Sequence, residues 1–139
     1  MHNLGSIPYL YRFTLAVLLN DLYELHKVDV DAESPGHIAI FGLNAAHDIF
    51  GGHFPGSPIL PGVCHMQMVV DAVSAITGRD LRVHEGTDLK FTAVVDPRQG
   101  TELEVKVQTE TLEDGTVKVM SSTWFNGDVC FKFKGLLKE

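Results

Sequence analysis

Cysteine is scarce in this sequence: Cys64 and Cys130 are the only two among 139 residues. Both sit in apolar runs, and no cysteine–histidine spacing matches a zinc site. We therefore expect buried free thiols in a reducing compartment and no metal centre. Positive charge is also short, with 11 lysines and arginines against 18 acids and a net charge of −7. With no basic stripe, nucleic acid is excluded as a general partner. A local basic patch for a phosphorylated carrier is still open, because Arg79, Arg82 and Lys90 lie near one another in sequence. No apolar run is long enough to cross a bilayer. The stretch from Ile7 to Leu19 is shorter than the roughly 20 residues a span needs, and Arg12 interrupts it. No lysine or arginine precedes it and Leu18-Leu19-Asn20 is a poor cleavage site, so it does not read as a secretory signal. We expect residues 1–20 to form a short helix, an interface arm or an extension, residues 21–139 to form one domain, and the chain to be cytoplasmic. Repeats and low-complexity segments are absent. An apolar share of 45 % excludes a disordered chain and suffices for one core.

What is present is concentrated in one segment. Gly52-His53-Phe54-Pro55-Gly56-Ser57-Pro58-Ile59-Leu60-Pro61-Gly62 places three prolines and three glycines around a single histidine. Proline lacks an amide donor and fixes its own φ, so this segment is neither a regular strand nor a helix interior. It reads as a stiff loop ending where a helix begins. A histidine held there, beside free helix amides, suits acid–base chemistry next to an oxyanion or anion site.

Around it the elements are legible. Asp21–Val30 reads as a first strand, Ser34-Pro35-Gly36 as a turn and His37–Leu43 as a second strand. A long loop follows over 44–61, with one helical turn near 45–50. Gly62–Thr77 is apolar on almost every side, the mark of a buried helix, and Gly78 supplies its stop. One polar stripe remains on it: Gln67, Asp71 and Ser74, spaced four and three apart, with His65 nearly opposite. Leu81–Val95 reads as a long strand broken at Gly86. The turns Asp114-Gly115 and Asn126-Gly127 join strands over Thr101–Leu112, Thr116–Phe125 and Asp128–Lys134 into an antiparallel meander. The predicted fold class is α+β, a curved antiparallel sheet wrapped around a buried central helix.

The segment Phe50-Gly51-Gly52-His53-Phe54-Pro55-Gly56-Ser57-Pro58-Ile59-Leu60-Pro61-Gly62-Val63 resembles the signature of the hot-dog-fold 3-hydroxyacyl-acyl-carrier-protein dehydratases, roughly F-x-G-H-F-P-G-x-P-x-x-P-G-V. Lys90-Phe91 with Val94-Val95-Asp96-Pro97 resembles a second block of that family. The resemblance implies loss of water from a β-hydroxyacyl thioester, with no cofactor. It implies that His53 takes the α-proton and that the amides of Gly62 and Val63 hold the thioester oxygen, with Phe54 among the substrate contacts. It implies hot-dog dimers or dimers of dimers, a site shared between subunits, and acyl carrier protein bearing a phosphopantetheine-linked acyl group as partner. The physics fits these roles. An enolate needs preorganised donors, and imidazole, with an unperturbed pKa of about 6.5, transfers protons near neutrality.

At one point the sequence departs from the family. Fourteen residues after the histidine, where the family's helix carries a carboxylate that protonates the leaving hydroxyl, this chain has Gln67. An amide donates a hydrogen bond but is no general acid. The nearest carboxylate is Asp71, one turn or about 5.4 Å further on, where many family members carry an amide. Gln67 is either a satisfied core amide or a group that orients the hydroxyl or a water. Asp71 is a relocated acid, a partner that holds Gln67, or an ordinary buried carboxylate. His47 and His65 read as packing or surface histidines, Cys64 as core, and Met66 and Met68 as core or acyl-tunnel wall. Two other functions stay open: a hot-dog thioesterase in which Asp71 activates water, and a non-catalytic acyl-binding subunit whose heteromeric partner supplies the missing carboxylate.

Overall fold

Asn126 and Gly127 both have positive φ, 51° and 85°, the backbone a tight two-residue hairpin demands. Gly115, at φ 88°, closes the preceding hairpin, where the Asp114 carboxylate accepts the Thr116 amide at 2.9 Å. These turns organise the second half of the computed structural model, which describes residues 21–52 and 58–139. Its strands are β1 (Tyr23–Val30), β2 (His37–Leu43), β3 (Arg82–Phe91), β4 (Glu102–Thr111), β5 (Val117–Phe125) and β6 (Asp128–Lys138). One helical turn, Ile49–Gly52, and the central helix, Gly62–Thr77, lie between β2 and β3. All strand pairs are antiparallel, in the order β1-β2-β4-β5-β6-β3, so β1 and β3 are the edges.

Strict alternation decides which face of the sheet is wet. Leu103, Val105 and Val107 on β4 and Val117, Val119 and Phe125 on β5 turn inward, while Lys106, Lys118 and Met120 turn outward. The inner face packs on Cys64, Met68, Val69, Ala72 and Val73 of the helix, all fully buried. Phe41, Phe131 and Phe133 fill the space between sheet and helix, each burial worth roughly 1.5–3 kcal/mol. The helix ends as expected at Gly78, whose φ of 70° lets its amide reach the Ser74 carbonyl at 2.9 Å.

Element order and fold class agree with the expectation from sequence. Three strand limits differ by two residues or more. The first strand begins at Tyr23, not Asp21, because Asp21 has φ 61° and cannot continue a strand. The third stops at Phe91 rather than Val95. Beyond it the Val95 carbonyl accepts the Leu60 amide at 2.9 Å, tying this segment to the proline loop instead of to the sheet. The last strand runs to Lys138, past Lys134, because β3 and β5 both pair with its extension. Gly86 does mark an irregularity: the β3–β6 register shifts there and again between Val83 and Glu85.

The basic patch read from Arg79, Arg82 and Lys90 does not form. Arg79 is paired with Glu139 at 2.8 Å, and Arg82 is only 5 % exposed. Lys90 lies at the other end of β3, about 26 Å away at strand rise. Its neighbours across the outer sheet face are other lysines. Register aligns Lys106, Ser122, Lys132 and Lys90 across four strands, with Lys134 beside Asp88 in the next row. The expectations for residues 1–20 lie outside the described residues. Among the described residues, no helix is long and apolar enough to cross a membrane.

Candidate active site

Pro61 caps the central helix with extended backbone, φ −62° and ψ 149°, and contributes no side-chain hydrogen bond. The Cys64 amide turns back to the Pro61 carbonyl at 3.0 Å. The two amides before it, on Gly62 and Val63, are first-turn donors for which a helix has no internal acceptor. Both residues are exposed, Val63 by 41 %. Glycine at 62 has a steric reason: a Cβ there would stand 2.9 Å from the Phe91 ring, which lies across the helix start. The second family-like block thus meets the first in space, Phe91 against Gly62 and Val95 against Leu60. His53 and Phe54 lie outside the described residues.

The polar stripe on the helix resolves into separate jobs. Ser74 is structural, its hydroxyl accepting the Leu81 amide at 3.2 Å. Gln67 and Asp71 are joined: Gln67 Nε2 donates to Asp71 Oδ1 at 2.8 Å. The other carboxylate oxygen, Oδ2, accepts from the Tyr23 hydroxyl of β1 at 2.5 Å. Burial raises the Asp71 proton affinity above the ordinary carboxylate range, while both hydrogen bonds pull it back. Tyr23 is pushed far above the usual phenol, first by burial and then by the Asp71 charge. Asp71 and Tyr23 open onto a cleft of about 890 Å³ that Asp21, Glu24, His26 and Asn44 also line.

Nothing in the sequence singles out Tyr23. It stands 48 residues from Asp71, reads as one more aromatic in a strand, and meets the helix only because the sheet wraps around it. Asp71 and Gln67, by contrast, come from one helix and follow from spacing alone.

The remaining candidates fall to packing, as expected. Cys64 is fully buried and burial pushes its thiol up to about 12, so it is no nucleophile at neutral pH. His47 accepts the Ile49 amide on Nδ1 at 3.0 Å and starts the helical turn. His65, 2 % exposed, sits between the rings of Phe91 and Phe131 at 5.8 and 5.5 Å, with Nδ1 lacking a hydrogen-bond partner among the described residues. Burial lowers its pKa to about 4.

That makes His65 an acid-sensitive point of the core. Below pH 6.5 an unfolded chain binds a proton that the folded ring refuses until about pH 4. Its contribution is therefore complete above 6.5 and lost as pH falls toward 4, roughly 3 kcal/mol in all. In urea titrations at pH 4.5 and 7, His65→Leu is expected to lose distinctly less stability on acidification than the parent. Parallel losses would show that His65 is protonated without cost.

A six-stranded antiparallel sheet around one buried helix is the hot-dog fold, here with first-turn amides at the helix start and a partly buried carboxyl on the helix's polar stripe. The ApeI-like family model, described as ApeI dehydratase, matches residues 29–127, and the chain belongs to that family. It is 38 % identical over 110 residues to the 3-hydroxyacyl-[acyl-carrier-protein] dehydratase FabZ of Latilactobacillus sakei, covering 72 % of this chain and 77 % of that protein. It is 26 % identical over 102 residues to FabZ of Haemophilus influenzae, covering 69 % of each. Among solved structures, the dehydratase heterocomplex ApeI:P of Xenorhabdus doucetiae superposes with a TM-score of 0.60 at 19 % identity, over 84 % of this chain and 97 % of that one. A thioesterase of Haemophilus influenzae superposes with a TM-score of 0.52 at 10 % identity, over 96 % and 90 %. At these identities the two structures bear on fold alone.

Proposed function

We propose that the protein removes water from 3-hydroxyacyl groups carried as thioesters on acyl carrier protein, giving trans-2-enoyl thioesters. One observation carries this reading beyond kinship with dehydratases. The helix that lacks the family's carboxylate at position 67 holds one a turn later, at Asp71, and joins the two side chains by a 2.8 Å hydrogen bond. His53 is the base for the α-proton, and the amides of Gly62 and Val63 take the enolate oxygen. Asp71 returns a proton to the departing hydroxyl, which Gln67 orients. Phe54 stays with Gly62 and Val63 in the substrate-binding set. An acid must hold its proton near neutral pH, and burial moves Asp71 in that direction. The row of Lys90, Lys106 and Lys132 supports a phosphate-bearing carrier as partner.

The test is direct. Purified protein is given 3-hydroxyacyl and trans-2-enoyl carrier substrates, and alkene absorbance and free thiol are followed together. Alkene formation or loss without thiol release is expected. Thiol release alone would replace the dehydratase by a thioesterase, and neither product from a folded protein would favour an acyl-binding subunit.

The reading also needs a second subunit. Edge strand β3 has one unpaired side and exposes Leu89 and the half-exposed Phe91, with Val63 and Val94 also exposed. Such an edge is a template for pairing unless a partner covers it. Leu89→Lys places a charge on that edge. Light scattering is expected to show a dimer in the parent and a monomer in the variant, with turnover lost. A variant that remains dimeric would place the subunit contact elsewhere.

A further inference from the structure

We infer that Tyr23 is a positioning residue of the site, fixing the carboxyl of Asp71 and setting how readily it holds a proton. The inference rests on the dehydratase reading for its consequence in turnover, but its geometry stands apart from it. Among the described residues, each Asp71 oxygen has one donor: Gln67 on Oδ1 at 2.8 Å and Tyr23 on Oδ2 at 2.5 Å. Gln67 comes from the same helix and moves with it. Tyr23 comes from β1, across the domain, and its ring is braced edge-on against Phe41 at 5.6 Å. It is therefore the contact that ties the carboxyl to the sheet and limits its rotation.

The chemistry follows from the donors' direction. Both give hydrogen bonds to the ionised carboxylate, so both oppose the effect of burial. Burial favours the protonated acid, while turnover also requires that the proton be released. Two donors restore the balance, since a proton-transfer group works best with a pKa near the working pH. The other titratable groups facing Asp71 are Glu24 and His26 of β1 and Asp21 before it, which line the same cleft, and Cys64 of the helix, which is buried next to Tyr23. Tyr23 is the titratable side chain whose hydrogen bond to Asp71 the structure shows.

Tyr23→Phe removes the hydroxyl and retains the ring. The experiment has two arms on the whole protein: a ¹³C carboxyl NMR titration, with Asp71 assigned as the resonance that Asp71→Asn removes, and the pH dependence of enoyl hydration. In Tyr23→Phe the Asp71 titration and the corresponding limb of the rate profile are both expected to move to higher pH. The kcat is expected to fall about tenfold, the usual scale for a lost hydrogen bond to a charged group, with KM nearly unchanged. In an Asp71→Asn background, Tyr23→Phe is expected to cost nothing further, because its effect passes through Asp71. An unmoved Asp71 titration, or equal losses in both backgrounds, would overturn the inference and leave Tyr23 as packing. The NMR arm decides the coupling even in a protein that converts neither substrate, an outcome that would sink the dehydratase reading alone.

Discussion

His53→Ala is expected to lower turnover by about 10²–10⁴-fold, the contribution of a positioned general base, while circular dichroism and oligomeric state remain those of the parent. Pro55, Pro58 and Pro61 stand between the histidine and the helix, and proline fixes its own φ, so the sequence there has few backbone conformations open to it. The far end of that loop is anchored, with the Leu60 amide on the Val95 carbonyl. Alanine removes the only group in the Phe50–Val63 segment able to accept a proton near neutral pH. The loop keeps its prolines, so the fold has no reason to change. Steady-state hydration of a trans-2-enoyl carrier substrate measures the effect. Turnover within a few-fold of the parent would remove His53 from the mechanism and with it the assignment of the loop as catalytic.

Asp71→Asn is expected to cost about 10²-fold or more in kcat, because the leaving hydroxide would then depart without an acid. The amide remains hydrogen-bonded: the Tyr23 hydroxyl can rotate and the Gln67 amide can flip, so folding is preserved. The companion variant separates acid from scaffold. Gln67→Glu sets a second carboxyl against Asp71 at the 2.8 Å contact. Two carboxylates that close cannot both ionise easily, so the pair retains one proton to higher pH. Activity is expected to be kept or raised, and its alkaline limit to move up. Full activity in Asp71→Asn would show that the proton comes from water or from another subunit.

Much of the fold was legible locally. Gly62–Thr77 follows from an all-round apolar run with a glycine stop, and β4 and β5 from period-two alternation between strong turns. These signals are short-range, since a residue's neighbours at three, four or two positions determine them. The errors came where distant segments compete for backbone hydrogen bonds. Val95 is as β-prone as the strand before it, yet its carbonyl is taken by Leu60, 35 residues earlier. Lys138 extends β6 because β3 lies alongside it. The supposed basic patch failed for the same reason: nearness in sequence along a strand is distance in space.

For the site, the amino-acid order alone determined the histidine among prolines, the proline–glycine helix start, and Gln67 with Asp71 four residues later on one helix face, because each is a matter of residue type and helical spacing. Only the tertiary structure decided that Asp71 is partly buried, that both its oxygens are held, and that Tyr23 is one of the holders. Burial and cross-strand contact depend on how a sheet closes around a helix, which is a property of all the strands together and of no single stretch of chain.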